Sequence, residues 1–172
     1  MTSSREATDI LYEAMQIEQA CYSLYCTAAT QTRDPTAVRL FLTLARDEMG
    51  HLAKLETVSS AVSQGRECLV APFPSSPFTR CILPSAAQTD ATPTAEATEM
   101  AALDRVIQAE RDSVDFYRCA KGKASHSASR HLYEYLLEQE EAHLNILIAE
   151  REHLCRTGLW FNYLELTLEA QG

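Results

Sequence analysis

No two of the six cysteines are spaced C-x-x-C. They stand at 21, 26, 68, 81, 119 and 155, and that scatter excludes a four-thiolate metal knot. Long apolar runs are missing as well, and nothing approaches the ~20 consecutive apolar residues that a membrane span requires. Basic charge is scarce: 15 Lys and Arg against 24 Asp and Glu leave a net charge of −9 and a pI near 5.0. That balance argues against nucleic acid or an anionic membrane as the main partner. The opening MTSSREATDILYEAM carries no basic segment followed by an apolar stretch, so a cytoplasmic location and reduced thiols are expected. Cys68 and Cys81 share one proline-rich segment, but spacing alone does not decide whether they pair. A length of 172 residues suits one domain with a substantial core, residues 1–172, better than two.

What is present is helical periodicity. Over about 6–31, Leu11, Met15, Glu18, Tyr22, Tyr25 and Ala29 recur at steps of three and four and share a face. RDPTAVRLFL then supplies a break and a restart, with Asp34 as N-cap and Pro35 in the first helical position. The helix it opens, about 35–64, carries Phe41, Leu44, Glu48, His51, Leu55 and Val62, and Gly65 follows as its stop. A third helix, about 95–121, carries Leu103, Val106, Ile107, Glu110, Val114 and Tyr117, and KGKASHS breaks it at Gly122. A fourth, about 127–157, carries Tyr133, Leu136, Leu137, Leu144 and Leu147 and ends at Thr157-Gly158.

Between the second and third helices the character changes. Residues 65–94 hold five of the six prolines among Ser, Thr and Ala, with no sustained stripe. A connection this long inside a domain usually has a task, and here the task is geometric. Extended chain reaches about 3.3–3.6 Å per residue, enough to run the ~45 Å length of a ~30-residue helix. Two hairpins joined by one such crossover make an all-α four-helix bundle of ferritin-like topology, with 158–172 as a short C-terminal segment.

The chemistry lies in an internal repeat. A shift of 92 residues, which carries Glu18 onto Glu110, also lays Tyr25 on Tyr117, Glu48 on Glu140 and His51 on His143. Leu11, Gln16, Leu44, Leu52 and Leu55 fall on Leu103, Gln108, Leu136, Leu144 and Leu147. Each half therefore reads E-x6-Y, a turn, then E-x-x-H. A single E-x-x-H arises readily by chance. Glu150 and His153 form a third one, whose counterparts in the repeat are Val58 and Ala61 and which lies off the Glu140 face, so it is set aside.

The four Glu and two His sit near the middle of their helices on apolar stripes, so a bundle brings them together. Buried carboxylates need counter-charge or else take up protons. Two divalent cations cancel four carboxylates, and two neutral imidazoles complete the set. Oxygen and nitrogen donors without thiolate suit iron or manganese. Tyr25 and Tyr117 are open to two readings, as core aromatics or as phenols that hydrogen-bond a ligand carboxylate across the bundle. His126, His131 and His153 read as solvated surface residues, and Cys21 and Cys26 as small apolar fillers.

With these motifs, the chain resembles the rubrerythrin-like branch of the ferritin-like superfamily, the di-iron carboxylate proteins. The likeness runs from about 6 to 157, and the tail TGLWFNYLELTLE looks like the closing segment of small rubrerythrin-like proteins. The resemblance implies that Glu18, Glu48, His51, Glu110, Glu140 and His143 hold two irons, with Glu48 and Glu140 as bridges. It also implies reaction with hydrogen peroxide or oxygen. Two departures stand out. Rubrerythrins proper carry a four-cysteine rubredoxin module, which this chain lacks, so its electrons have to come from another protein. They also place an extra Glu one turn after the lone Glu of the third helix, where this chain has Ser113, with Cys21 as its repeat mate. The leading expectation is a di-iron protein that reduces peroxide or oxygen, with a homodimer compatible with the helix surface. The rivals are iron handling, as a ferroxidase in a cage or as its cargo, and a non-catalytic metal-binding bundle.

Overall fold

A computed structural model describes residues 2–64 and 95–161. They form four helices, α1 (Thr2–Gln31), α2 (Pro35–Ser63), α3 (Ala95–Lys123) and α4 (Ser127–Thr157). Among the described residues there is no strand. The expected crossover, the stop at Gly65, the Cys68–Cys81 question and residues 162–172 lie outside the described residues.

Local chemistry sets most of the boundaries. Asp34 accepts hydrogen bonds from the Thr36 and Ala37 amides at 2.7 and 3.3 Å, satisfying two donors that the first turn of α2 leaves open. Gly158 ends α4 in the left-handed region at φ 70°, its N–H bonded to the Leu154 carbonyl at 2.8 Å. The third helix departs from the expected break. It runs through Gly122 to Lys123, because one glycine costs a helix only about 1 kcal/mol and Lys121 and Lys123 favour its C-terminal turn.

The helices form a four-helix bundle in which α1 packs on α2 and α3, and α4 packs on the same two. Gln31 meets Arg105, Tyr25 meets Glu110 and Glu18 meets Tyr117, so α1 and α3 run antiparallel. Each short-linked hairpin is antiparallel too, so α2 and α3 point the same way. The end of α2 and the start of α3 therefore stand at opposite ends of the bundle.

The buried face of α1 differs from the expected stripe. Leu11, Ala14, Glu18, Cys21, Tyr25 and Ala28 are buried, whereas Met15 and Tyr22 flank them half-buried. Small residues at 14, 21 and 28 permit close helix approach, and interaxial distance follows the side chains at the contact.

The core is divided. One apolar cluster gathers Tyr25, Phe41, Leu44, Leu103, Val106 and Leu147. The other gathers Leu11, Leu55, Tyr117, Leu132, Tyr133 and Leu136. Each fully buried leucine contributes roughly 1.5–3 kcal/mol. Between the two clusters lies a polar layer. No helix of the described residues is long and apolar enough to cross a membrane.

Candidate metal centre

Glu18 on α1, Glu48 and His51 on α2, Glu110 on α3, and Glu140 and His143 on α4 supply the layer. All six are at most 1 % exposed. Each E-x-x-H pair spans one helical turn, so Glu and His of one helix point the same way. The tightest grouping is Glu18, His51 and Glu140, whose ligating atoms lie within 4.8 Å of one another. His51 Nδ1 is 3.4 Å from Glu18 Oε2 and 3.6 Å from Glu140 Oε1. His143 is fully buried on α4 and stands outside that group of three.

The tyrosines reach across. Tyr25 on α1 donates its phenolic hydrogen to Glu110 Oε1 on α3, and Tyr117 on α3 donates to Glu18 Oε1 on α1. The antiparallel α1–α3 pair thus carries two reciprocal bonds. Each fixes one carboxylate oxygen. Tyr135 packs edge-on against the His51 ring at 6.0 Å, and the Lys54 ammonium lies over Tyr135 at 5.3 Å.

Glu48 is the group the protein does not satisfy. Both its oxygens are buried without a hydrogen-bond donor, and the charges around it are those of Glu18, Glu140 and Glu110. Burial, reinforced by those carboxylates, pushes its pKa well above the usual range. Glu18 goes the other way. Burial opposes its ionisation, but hydrogen bonds with Glu48, His51 and Tyr117 and the His51 charge outweigh that and hold it low. Without added positive charge the crowding of these carboxylates favours the protonated form of Glu48. Burying an unpaired carboxylate costs several kcal/mol, which makes the layer a candidate cation site. Its donors are oxygen and nitrogen, the set that suits iron or manganese.

The rubrerythrin family model matches residues 9–151. The chain belongs to the rubrerythrin family. Among curated proteins and among solved structures, none matches it. The family match spans both halves of the 92-residue repeat and all four helices. At the position one turn after Glu110, this rubrerythrin-family chain buries Ser113, and its repeat mate Cys21 is equally buried. The layer therefore gains no fifth carboxylate from α3.

The third E-x-x-H has a different use. Glu150 is 1 % exposed and accepts the Phe161 N–H at 3.0 Å, while the His153 ring packs against that of Phe161 at 5.1 Å, tilted by 55°. His153 is thus half-buried rather than solvated, whereas His126 and His131 are exposed. Burial beneath the chain end, aided by the Asp34 charge and opposed by the Phe161 N–H, pushes the Glu150 pKa up to about 7. The sequence reading missed this contact and also Tyr135. The apolar LWF following a helix stop was the available signal for the first, and none existed for the second.

Proposed function

We propose that this rubrerythrin-family chain is a di-iron oxidoreductase that reduces hydrogen peroxide or oxygen with electrons from an external donor protein. The observation that carries the reading is Glu48, a fully buried carboxylate with no donor, facing three more carboxylates. Glu18, Glu48, His51, Glu110, Glu140 and His143 would hold the two ions, and the same donors would accept manganese. Bound ferrous iron supplies the two electrons that, with two protons, take hydrogen peroxide to two waters.

The chain's own residues do the rest. Tyr25 and Tyr117 hold Glu110 and Glu18 in place, each fixing one carboxylate oxygen. Burial and the neighbouring carboxylates favour protonation of Glu48, and a metal would compete with that proton, which couples loading to pH. The apolar clusters on either side keep bulk water from the layer. Iron handling in an assembly is the second reading. It draws on Leu42 and Met49, one heptad apart on the outer face of α2 and 51 % and 53 % exposed.

The test is metal content by mass spectrometry after anaerobic loading with ferrous iron, then an absorption spectrum after adding peroxide. Two irons per chain and a new near-ultraviolet band are expected. Absence of iron, or iron indifferent to peroxide, would overturn the reading. Large assemblies binding many irons per chain would favour iron handling instead.

A further inference from the structure

A line of aromatic rings leads out of the polar layer towards one end of the bundle. Tyr25, fully buried, bonds Glu110. Its ring centroid is 6.3 Å from that of Phe41, at 32°. Phe41, also fully buried, meets Trp160 edge-on at 5.8 Å and 78°. Trp160 is the only tryptophan of the chain, is half-buried, and donates its indole Nε1–H to Glu99 Oε2 at 3.1 Å. Three rings thus connect a carboxylate of the layer to an indole that reaches solvent.

The second half of the repeat builds the first step and omits the rest. Tyr117 bonds Glu18 and packs on Tyr133 at 6.1 Å and 39°, nearly the geometry of Tyr25 on Phe41. Tyr133 holds the position that Phe41 holds in the first half. There the line stops, because Tyr133 is 1 % exposed and its hydroxyl has no hydrogen-bond partner to take a proton. Phe116, at 5.1 Å from Tyr117, is a phenyl ring with no proton to give up.

Electron tunnelling weakens exponentially with distance, and rings in contact shorten each gap. Indole is among the most readily oxidised side chains, and its oxidised form is an acid that settles when a base accepts its N–H proton. Glu99 is placed as that base. Its burial disfavours charge, but the Arg33 amide at 2.7 Å and the indole outweigh that and hold its pKa low, so it is ionised at neutral pH.

We propose that Trp160 is a one-electron relay for the metal centre, coupled to it through Phe41 and Tyr25, with Glu99 as its proton acceptor. The proposal rests on the peroxide-reducing reading above. Hydrogen peroxide needs two electrons and two protons to become two waters. When the centre holds a single ferrous equivalent, one electron comes from the metal and the other from Trp160, and the two protons come from solvent. Trp160 loses its electron inward along the rings and its Nε1 proton to Glu99, leaving a neutral indole radical. An external one-electron donor, a thiol or the donor protein, returns the electron, and Glu99 returns the proton. A surplus oxidising equivalent is thereby discharged at the surface and not on the ligands.

The test uses the full chain loaded with iron and carrying one reducing equivalent per centre. It is mixed with hydrogen peroxide, frozen within milliseconds and examined by electron paramagnetic resonance, with residual peroxide assayed in the same sample. A neutral tryptophan radical is expected, its spectrum narrowed by ring-deuterated tryptophan. The signal should vanish in Trp160→Phe, fall sharply in Phe41→Leu and survive in Tyr133→Phe, with iron content confirming that each variant is folded. Peroxide consumed without an indole radical, or a radical unchanged in Trp160→Phe, overturns the relay and leaves the peroxide-reducing reading intact. Peroxide left unconsumed by the loaded protein overturns that reading, and the relay with it.

Discussion

The α1–α2 and α3–α4 hairpins place Glu, Tyr, Glu and His at the same four positions, yet they differ wherever those positions end. Phe41 of the first half is Tyr133 in the second, Val58 is Glu150, and Ala61 is His153. The shared residues all face the polar layer, and all are at most 1 % exposed. Among the substitutions, Glu150 and His153 hold Phe161, in the segment that follows α4. Residues that face the layer are matched by what they surround, whereas residues beyond it answer to their own half. The comparison makes the layer two-fold in its residue types but not in its geometry, since His51 and not His143 groups with Glu18 and Glu140.

The strongest way to break that comparison removes one matched Glu from each half. Glu48→Ala together with Glu140→Ala should abolish metal binding, read as metal content after loading, and full retention would refute the ligand assignment. Stability should move the opposite way. In chelator, Glu48→Leu is expected to raise the unfolding free energy by about 1–4 kcal/mol, because it replaces a buried carboxylate lacking a donor with apolar volume. The sign of the pH effect follows from the same group. Burial and the carboxylates around it favour the protonated form of Glu48, so binding should release protons, and affinity should fall about tenfold per unit of acidification for each proton displaced. A pH-independent affinity would contradict it.

A smaller change sharpens the symmetry itself. Tyr25→Phe and Tyr117→Phe each delete one of the two reciprocal bonds across α1 and α3. Each should weaken metal binding about 10–100-fold, the usual cost of losing a group that orients a ligand. Competitive titration against a coloured chelator measures both. Equal losses support two equivalent halves. A loss in one variant alone would show that a single half governs the centre.

The sequence made the layer legible because burial and function left one periodic signal. Carboxylates and imidazoles on an apolar stripe are costly, and a 92-residue repeat of that cost marks the positions plainly. Helix boundaries were equally open where capping fixed them, at Asp34 and Gly158. Periodicity failed where size, not polarity, decides burial. It assigned Met15 and Tyr22 to the core in place of Ala14 and Ala28, because a hydrophobicity pattern does not register how closely two helices approach. It also failed at Glu150, whose burial comes from a residue eleven positions later folding back, a tertiary contact with no helical period.

Tyr133 provides the third test. Its hydroxyl is buried without a partner, and burial pushes its pKa upwards. Tyr133→Phe installs the residue that the first half already uses at this position. Stability should rise by about 1–2 kcal/mol, the penalty of a buried unsatisfied hydroxyl, with metal content unchanged. A fall in the urea midpoint would mean that the hydroxyl has a role the symmetry does not reveal.

The smallest expected effect separates the third E-x-x-H from the other two. Glu150→Gln should leave metal content untouched, and a loss would make Glu150 part of the centre. Its consequence lies in stability against pH. The folded chain keeps a proton on Glu150 up to about pH 7, whereas an unfolded carboxylate loses it near its ordinary 4.5. Between those values the folded state binds more protons, so the contribution present below 4.5 is lost as pH rises to about 7. The amide that Glu150→Gln installs cannot ionise, and its carbonyl oxygen still accepts the Phe161 N–H, so that decline should disappear. The half-buried Phe161 and His153 leave solvent close by, which limits the gain at pH 8 to about 1 kcal/mol or less. Fluorescence of Trp160, the only tryptophan, reports the docking directly. An unchanged pH profile in Glu150→Gln would show that ionisation of Glu150 does not set the pH response of this segment.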